Sequence, residues 1–185
     1  SLPRIKDFSV RRKGTILDLL QCDIPRFMDT KALERKETRE GKNFFIDYLF
    51  VLPQRAMGVF DCVNIRKWDT SSNFDKGAYT AVTFYAAFGL TGDEKIAVME
   101  RLIQLYGPDD SGWGELEQHE RDMLDGGKFY TGRRWTFNQQ HGLVDPGNKS
   151  EQQSYEVDVY DFVDDKGFNV NIHGYNELIS LFSVE

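Results

Sequence analysis

Apolar positions change period twice along the chain. In TGDEKIAVMERLIQLYG, residues 91–107, Ile96, Met99, Leu102, Ile103 and Tyr106 recur three or four apart, which predicts an amphipathic helix over 92–106. Thr91 with Glu94 makes a capping box at its start, and Gly107-Pro108 ends it. On both sides of this helix the period drops to two. NFFIDYLFVLP, GVFDCVNIRKW and AYTAVTFYAAF precede it; KFYTGRRWTF, SYEVDVYDFV and GFNVNIHGY follow it. Val59, Val63 and Ile65 fall opposite Asn64 and Arg66, and Val82, Phe84 and Phe88 fall opposite Thr83 and Tyr85. Strands that come in runs pair antiparallel. The expected fold class is therefore α+β: a curved, mainly antiparallel sheet of five or six strands, with the helix at 92–106 packed on its apolar face and the other face wet.

The first 43 residues read differently, as a basic, partly helical lead-in to a single α+β domain over 44–185. Thr15 and Asp18 form a capping-box start for a helix that buries Ile16, Leu17 and Leu20. DTKALERKETREG holds strong helix formers but only Ala32 and Leu33 to bury, so a surface helix ended by Gly41 is expected there. The chain closes on NELISLFSV, a short apolar helix or strand.

The last two strands, joined through DDKG, define a candidate site. Tyr155, Val157, Val159 and Val163 share one face, as do Phe168, Val170 and Ile172. Joining those faces favours a register with Val163 opposite Phe168, Val159 opposite Ile172, Tyr160 opposite Asn171 and Asp158 opposite His173. The other face then gathers Asp158, Tyr160, Asn169, Asn171 and His173 as candidate ligand-binding residues. A carboxylate beside an imidazole can orient it as a general base, although a wet face with an ordinary cross-strand pair explains the same pattern. Asp161 falls on the apolar side and is the one residue out of place.

LYGPDDSGWGELEQHERDMLDGG, residues 105–127, is the most acid-rich stretch. A calcium loop started at Asp109 would have Ser111 third, Gly114 sixth and Glu120 twelfth, but Trp113 stands fifth, where an oxygen is needed. HERDM lacks the second histidine of a zinc helix, and His119 with Asp122 gives at most two ligands. The expected reading is a short helix with Trp113, Leu116, Met123 and Leu124 inward and Glu117, Arg121 and Asp125 in water. No metal and no cofactor are expected. Arg133 and Arg134 should point to opposite sides of their strand, and NKS at 148–150 has the form of a glycosylation sequon.

Charge separates along the chain: residues 1–43 hold 11 Lys/Arg and 7 Asp/Glu, net +4, and the rest hold 12 and 23, net −11. An acidic body argues against nucleic acid as the main partner, because phosphate binding needs a basic surface. No apolar run reaches the ~20 residues that span a bilayer. Cys22 and Cys62 have no metal spacing, and whether they pair is left open, as is the oligomeric state. The chain opens Ser1-Leu2-Pro3, as a processed or shortened chain would, so a cytoplasmic and an exported mature form both fit. With no nucleophile elbow, the expectation is a noncatalytic ligand- or protein-binding module of acidic α+β type. The alternative is a small hydrolase-like enzyme using His173 and Asp158.

Overall fold

The computed structural model describes residues 14–27, 31–69, 79–145, 148, 150–162, 166–175 and 182. The elements run α1 (Ile16–Cys22), β1 (Glu34–Glu40), β2 (Asn43–Ala56), β3 (Phe60–Asp69), β4 (Tyr79–Tyr85), α2 (Gly92–Tyr106), α3 (Gln118–Asp125), β5 (Tyr130–Phe137), β6 (Tyr155–Asp161) and β7 (Phe168–Tyr175). The strands form one sheet in the order β1-β2-β3-β4-β7-β6-β5, antiparallel throughout. The α+β class is as expected, but the described sheet has seven strands, not five or six, and three helices are described where one principal helix was expected.

The additional strand is β1, which lies where a surface helix was expected. ERKETRE pairs from Glu34↔Leu49 to Glu40↔Asn43. Its helix formers could bury too little to hold a lone helix, whereas pairing with β2 satisfies its backbone, so tertiary context overrides propensity. The strand is almost wholly exposed, and its alternating charges keep the sheet edge from recruiting another chain. Ahead of it, α1 has the expected start, with Thr15 N–H donating to Asp18 Oδ2 at 2.7 Å, and sinks Ile16 and Leu19 into the same core as the sheet.

Helix α2 matches its sequence signals. Glu94 N–H donates to Thr91 Oγ1 (3.2 Å), Thr91 N–H to Glu94 Oε1 (2.9 Å), and Gly107, at φ +76°, caps Ile103 O. Val98, Met99, Leu102 and Tyr106 are buried, with the Tyr106 ring 5.1 Å from Phe137 and 6.1 Å from Trp135. Ile96 and Ile103 flank this stripe, partly buried. Phe88 departs from expectation: β4 ends at Tyr85, and Phe88 sits in the following turn, 99% exposed.

The C-terminal hairpin keeps its predicted faces but shifts its register by two residues. Val159 pairs with Val170, Val157 with Ile172, Tyr160 with Asn169 and Asp158 with Asn171, while Glu156 stands opposite His173. The expected partnership of Val163 with Phe168 falls on a residue outside the described set; Asp161 is opposite Phe168. Because side chains alternate with period two, a two-residue shift leaves every residue on its face. Asp161 tolerates the apolar side because Lys95 of α2 reaches it, Nζ to Oδ2 at 2.7 Å, with both side chains nearly buried.

Strand β5 carries a bulge. Thr131 pairs with Tyr160 and Arg134 with Asp158, so Gly132 and Arg133 together oppose Val159. A Cβ on Gly132 would lie 2.5 Å from the Val159 carbonyl oxygen, which is fixed backbone. Gly132→Ala is therefore expected to cost on the order of 2 kcal/mol in urea denaturation; an unchanged midpoint would show that the strands can part there without penalty.

Candidate functional site

Asp158 and Tyr160 of β6, Asn169, Asn171 and His173 of β7, and Arg134 of β5 share one sheet face, because their register positions have the same parity. His173 Nε2 lies 3.1 Å from Asp158 Oδ2, reached diagonally rather than directly across the hairpin. A chain of amides runs beside this pair: Thr83 Oγ1 donates to Asn171 Oδ1 (2.5 Å), Asn171 Nδ2 to Asn169 Oδ1 (2.6 Å), and Asn169 Nδ2 to Gly167 O (2.9 Å). The same face continues onto β2 and β3, where Arg66 grips Asp47 with two hydrogen bonds of 2.8 and 2.9 Å and Asn64 adds a third of 3.0 Å. Burial alone would lift the Asp47 carboxyl, but those donors hold it below its ordinary value.

The five predicted residues therefore stand together. Asn169, Asn171 and Asp158 are buried, Tyr160 and His173 half-buried. Burial, and then the Asp158 charge, push the Tyr160 phenol up. Asp158 Oδ1 is sealed from solvent and accepts no hydrogen bond among the described residues, an unusual state for a carboxylate oxygen.

The acid-rich stretch is not the solvated surface that its composition suggests. Asp109, Glu117 and Glu120 are all at least 92% buried, whereas Arg121 and Asp125 do reach solvent. The reason is Arg133, swung to this side by the bulge. Its Nε and Nη2 donate to Glu120 (3.2 and 2.7 Å), and its remaining N–H groups go to the carbonyls of Trp113 (2.8 Å), Gly114 and Glu115 (3.0 Å). All five guanidinium donors are used. Tyr130 also donates to Glu120 Oε2. Burial raises the Glu120 carboxyl, but the Arg133 and Tyr130 bonds outweigh it and hold the group below its ordinary value.

Glu120, which a calcium loop would need as its final ligand, is bound to a guanidinium instead. Asp109 Oδ1 accepts from Ser111 N–H (3.0 Å) and Trp113 N–H (2.9 Å), a turn built from backbone. His119 turns from Asp122 to Glu117, Nδ1 to Oε2 at 3.0 Å, and no metal-holding cluster occurs among the described residues. Beside the clamp opens a cleft of about 260 Å³, lined by Asp109, Trp113, His119, Met123, Thr131 and Arg133 among others. Sequence reasoning missed it. Its one legible signal was the Gly132-Arg133 pair within a strand, and a bulge cannot be told from a regular strand by alternation alone.

Both thiols, Cys22 and Cys62, are free, and no described helix is long and apolar enough to cross a membrane. Fold and faces define an antiparallel α+β domain with a polar sheet face and, bordering it at Thr131, an acidic cleft. No family model and no solved structure matches the chain. Among curated proteins, the RNA-directed RNA polymerase of Cymbidium ringspot virus is 33% identical to it over 82 residues, 42% of this chain. The chain spans about 9% of the length of that polymerase.

Proposed function

We propose that this domain is a noncatalytic binding module, taking a polar small molecule or a protein surface on the sheet face of Asp158, Tyr160, Asn169, Asn171 and His173. The observation that carries this reading is the sealed Asp158 Oδ1, which accepts no hydrogen bond among the described residues, beside the bonded amides of Asn169 and Asn171. A ligand donor that displaces the neighbouring side chains would satisfy that oxygen. The partial similarity to a viral RNA-directed RNA polymerase supports a setting inside a larger chain of that kind. RNA itself is the less suitable occupant, because the protein carries a net charge of −7. Hydrolysis by His173 and Asp158 draws support only from their 3.1 Å contact, and the nearby Thr83 hydroxyl is committed to Asn171.

Backbone amide NMR spectra provide the test, recorded during titration with a library of polar fragments and with a single-stranded RNA oligonucleotide. Fragment-induced shifts are expected at residues 158–160 and 169–173, absent in His173→Ala, whose melting temperature should stay within about 2 °C of the parent, as for a surface-directed change. A large loss of stability would mark His173 as structural. Shifts confined to other regions, or micromolar RNA binding at this face, would overturn the proposal.

A further inference from the structure

We infer that the cleft beside Asp109 is a receptor for a cationic side chain, a lysine or arginine presented by a partner protein. Two buried carboxylates, Asp109 and Glu120, line the cleft with one buried guanidinium, Arg133. Arg133 donates its hydrogen bonds to Glu120 and lends Asp109 only its nearby charge; among the described residues the Asp109 carboxylate accepts hydrogen bonds from two backbone N–H groups, both on Oδ1. Among the described residues its Oδ2 accepts no hydrogen bond and, unlike Asp158 Oδ1, is not sealed. A side chain 95% buried thus lines an open cleft with one oxygen unanswered.

The shape of the lining narrows the ligand. Trp113 and Met123 supply apolar wall for the methylenes of a long side chain, and an indole face also attracts a cation. An anion would be repelled by Asp109 and Glu120, and Arg133 has no donor left to receive it. A neutral apolar group would leave Asp109 desolvated without compensation. Burial already lifts the Asp109 carboxyl above its ordinary value, and a bound cation would reverse that. The cleft borders the sheet face where Thr131 pairs with Tyr160, but Asp109, on which it depends, lies outside both β6 and β7.

The test uses the whole chain, followed by amide shifts of residues 109–133. Probes are the peptides acetyl-Gly-Lys-Gly-amide and acetyl-Gly-Arg-Gly-amide, the neutral acetyl-Gly-norleucine-Gly-amide, and free butylamine. Saturable shifts at the cleft are expected with the lysine or arginine peptide, at least tenfold weaker with norleucine and with butylamine. Asp109→Asn keeps an oxygen for the Ser111 and Trp113 N–H groups and should weaken peptide binding at least tenfold. Thr131→Lys, at an exposed strand position, should block it by supplying a cation from within. His173→Ala should leave it unchanged, which separates this inference from the proposed sheet-face function. Failure of both cationic peptides, equal binding of norleucine, or full binding by folded Asp109→Asn would overturn the assignment. Butylamine binding as tightly as the peptides would replace the protein partner with a free amine.

Discussion

Arg133→Met should be the most damaging single substitution in this protein, at about 3–5 kcal/mol, the range for removing one partner of a buried ion pair. The change strands the buried Glu120 carboxylate and frees three carbonyls, at Trp113, Gly114 and Glu115. Arg133→Lys should recover little, because a single ammonium cannot reproduce a five-donor fork. Chemical denaturation measures the cost, and its pH dependence identifies the cause. In the parent, Glu120 is held below its ordinary value, so its contribution is complete above the unfolded carboxyl value, about 4.3, and is lost as pH falls through the lower folded value. Without Arg133, burial would lift that carboxyl instead. The folded variant would then take up its proton before the unfolded chain does, and gain stability as pH falls from 7 toward 4. The penalty should therefore shrink in acid; a penalty independent of pH would show that the lost carbonyl contacts, not the stranded carboxylate, set the cost.

Lys95→Met is the second large effect, expected at about 3 kcal/mol, since it leaves Asp161 as an unpaired charge on the core side of β6. The double replacement Lys95→Met, Asp161→Leu should recover most of that loss, because apolar residues of similar volume pack where an ion pair had to be desolvated. Thermal and urea unfolding of the two single variants and the double variant give the coupling directly. Additive losses would mean that the 2.7 Å contact contributes nothing beyond two independent side chains.

Much of the secondary structure was legible because its signals are local. The Thr91–Glu94 box and Gly107 stop sit within a turn of the helix they bound, so α2 could be delimited from sequence. Alternation likewise assigned the faces of β6 and β7, and those faces survived a register error because the error was even. The candidate polar group followed from parity alone. Strand β1 escaped for the opposite reason: ERKETRE has no face to bury, and only the availability of β2 as a partner made it a strand.

The sequence by itself determined which residues alternate, where α2 starts and stops, and which polar side chains β6 and β7 hold on one side, since each depends on neighbours a few bonds away. Tertiary structure alone decided which charges meet. Lys95 finds Asp161 66 residues away, and Arg133 finds Glu120 across a helix-to-strand connection and a one-residue bulge. Composition suggested that the acids of 105–127 face water. Desolvation made three of them tolerable only where a guanidinium, an imidazole or backbone N–H groups came within 3 Å or so, and that proximity is a property of the packed chain.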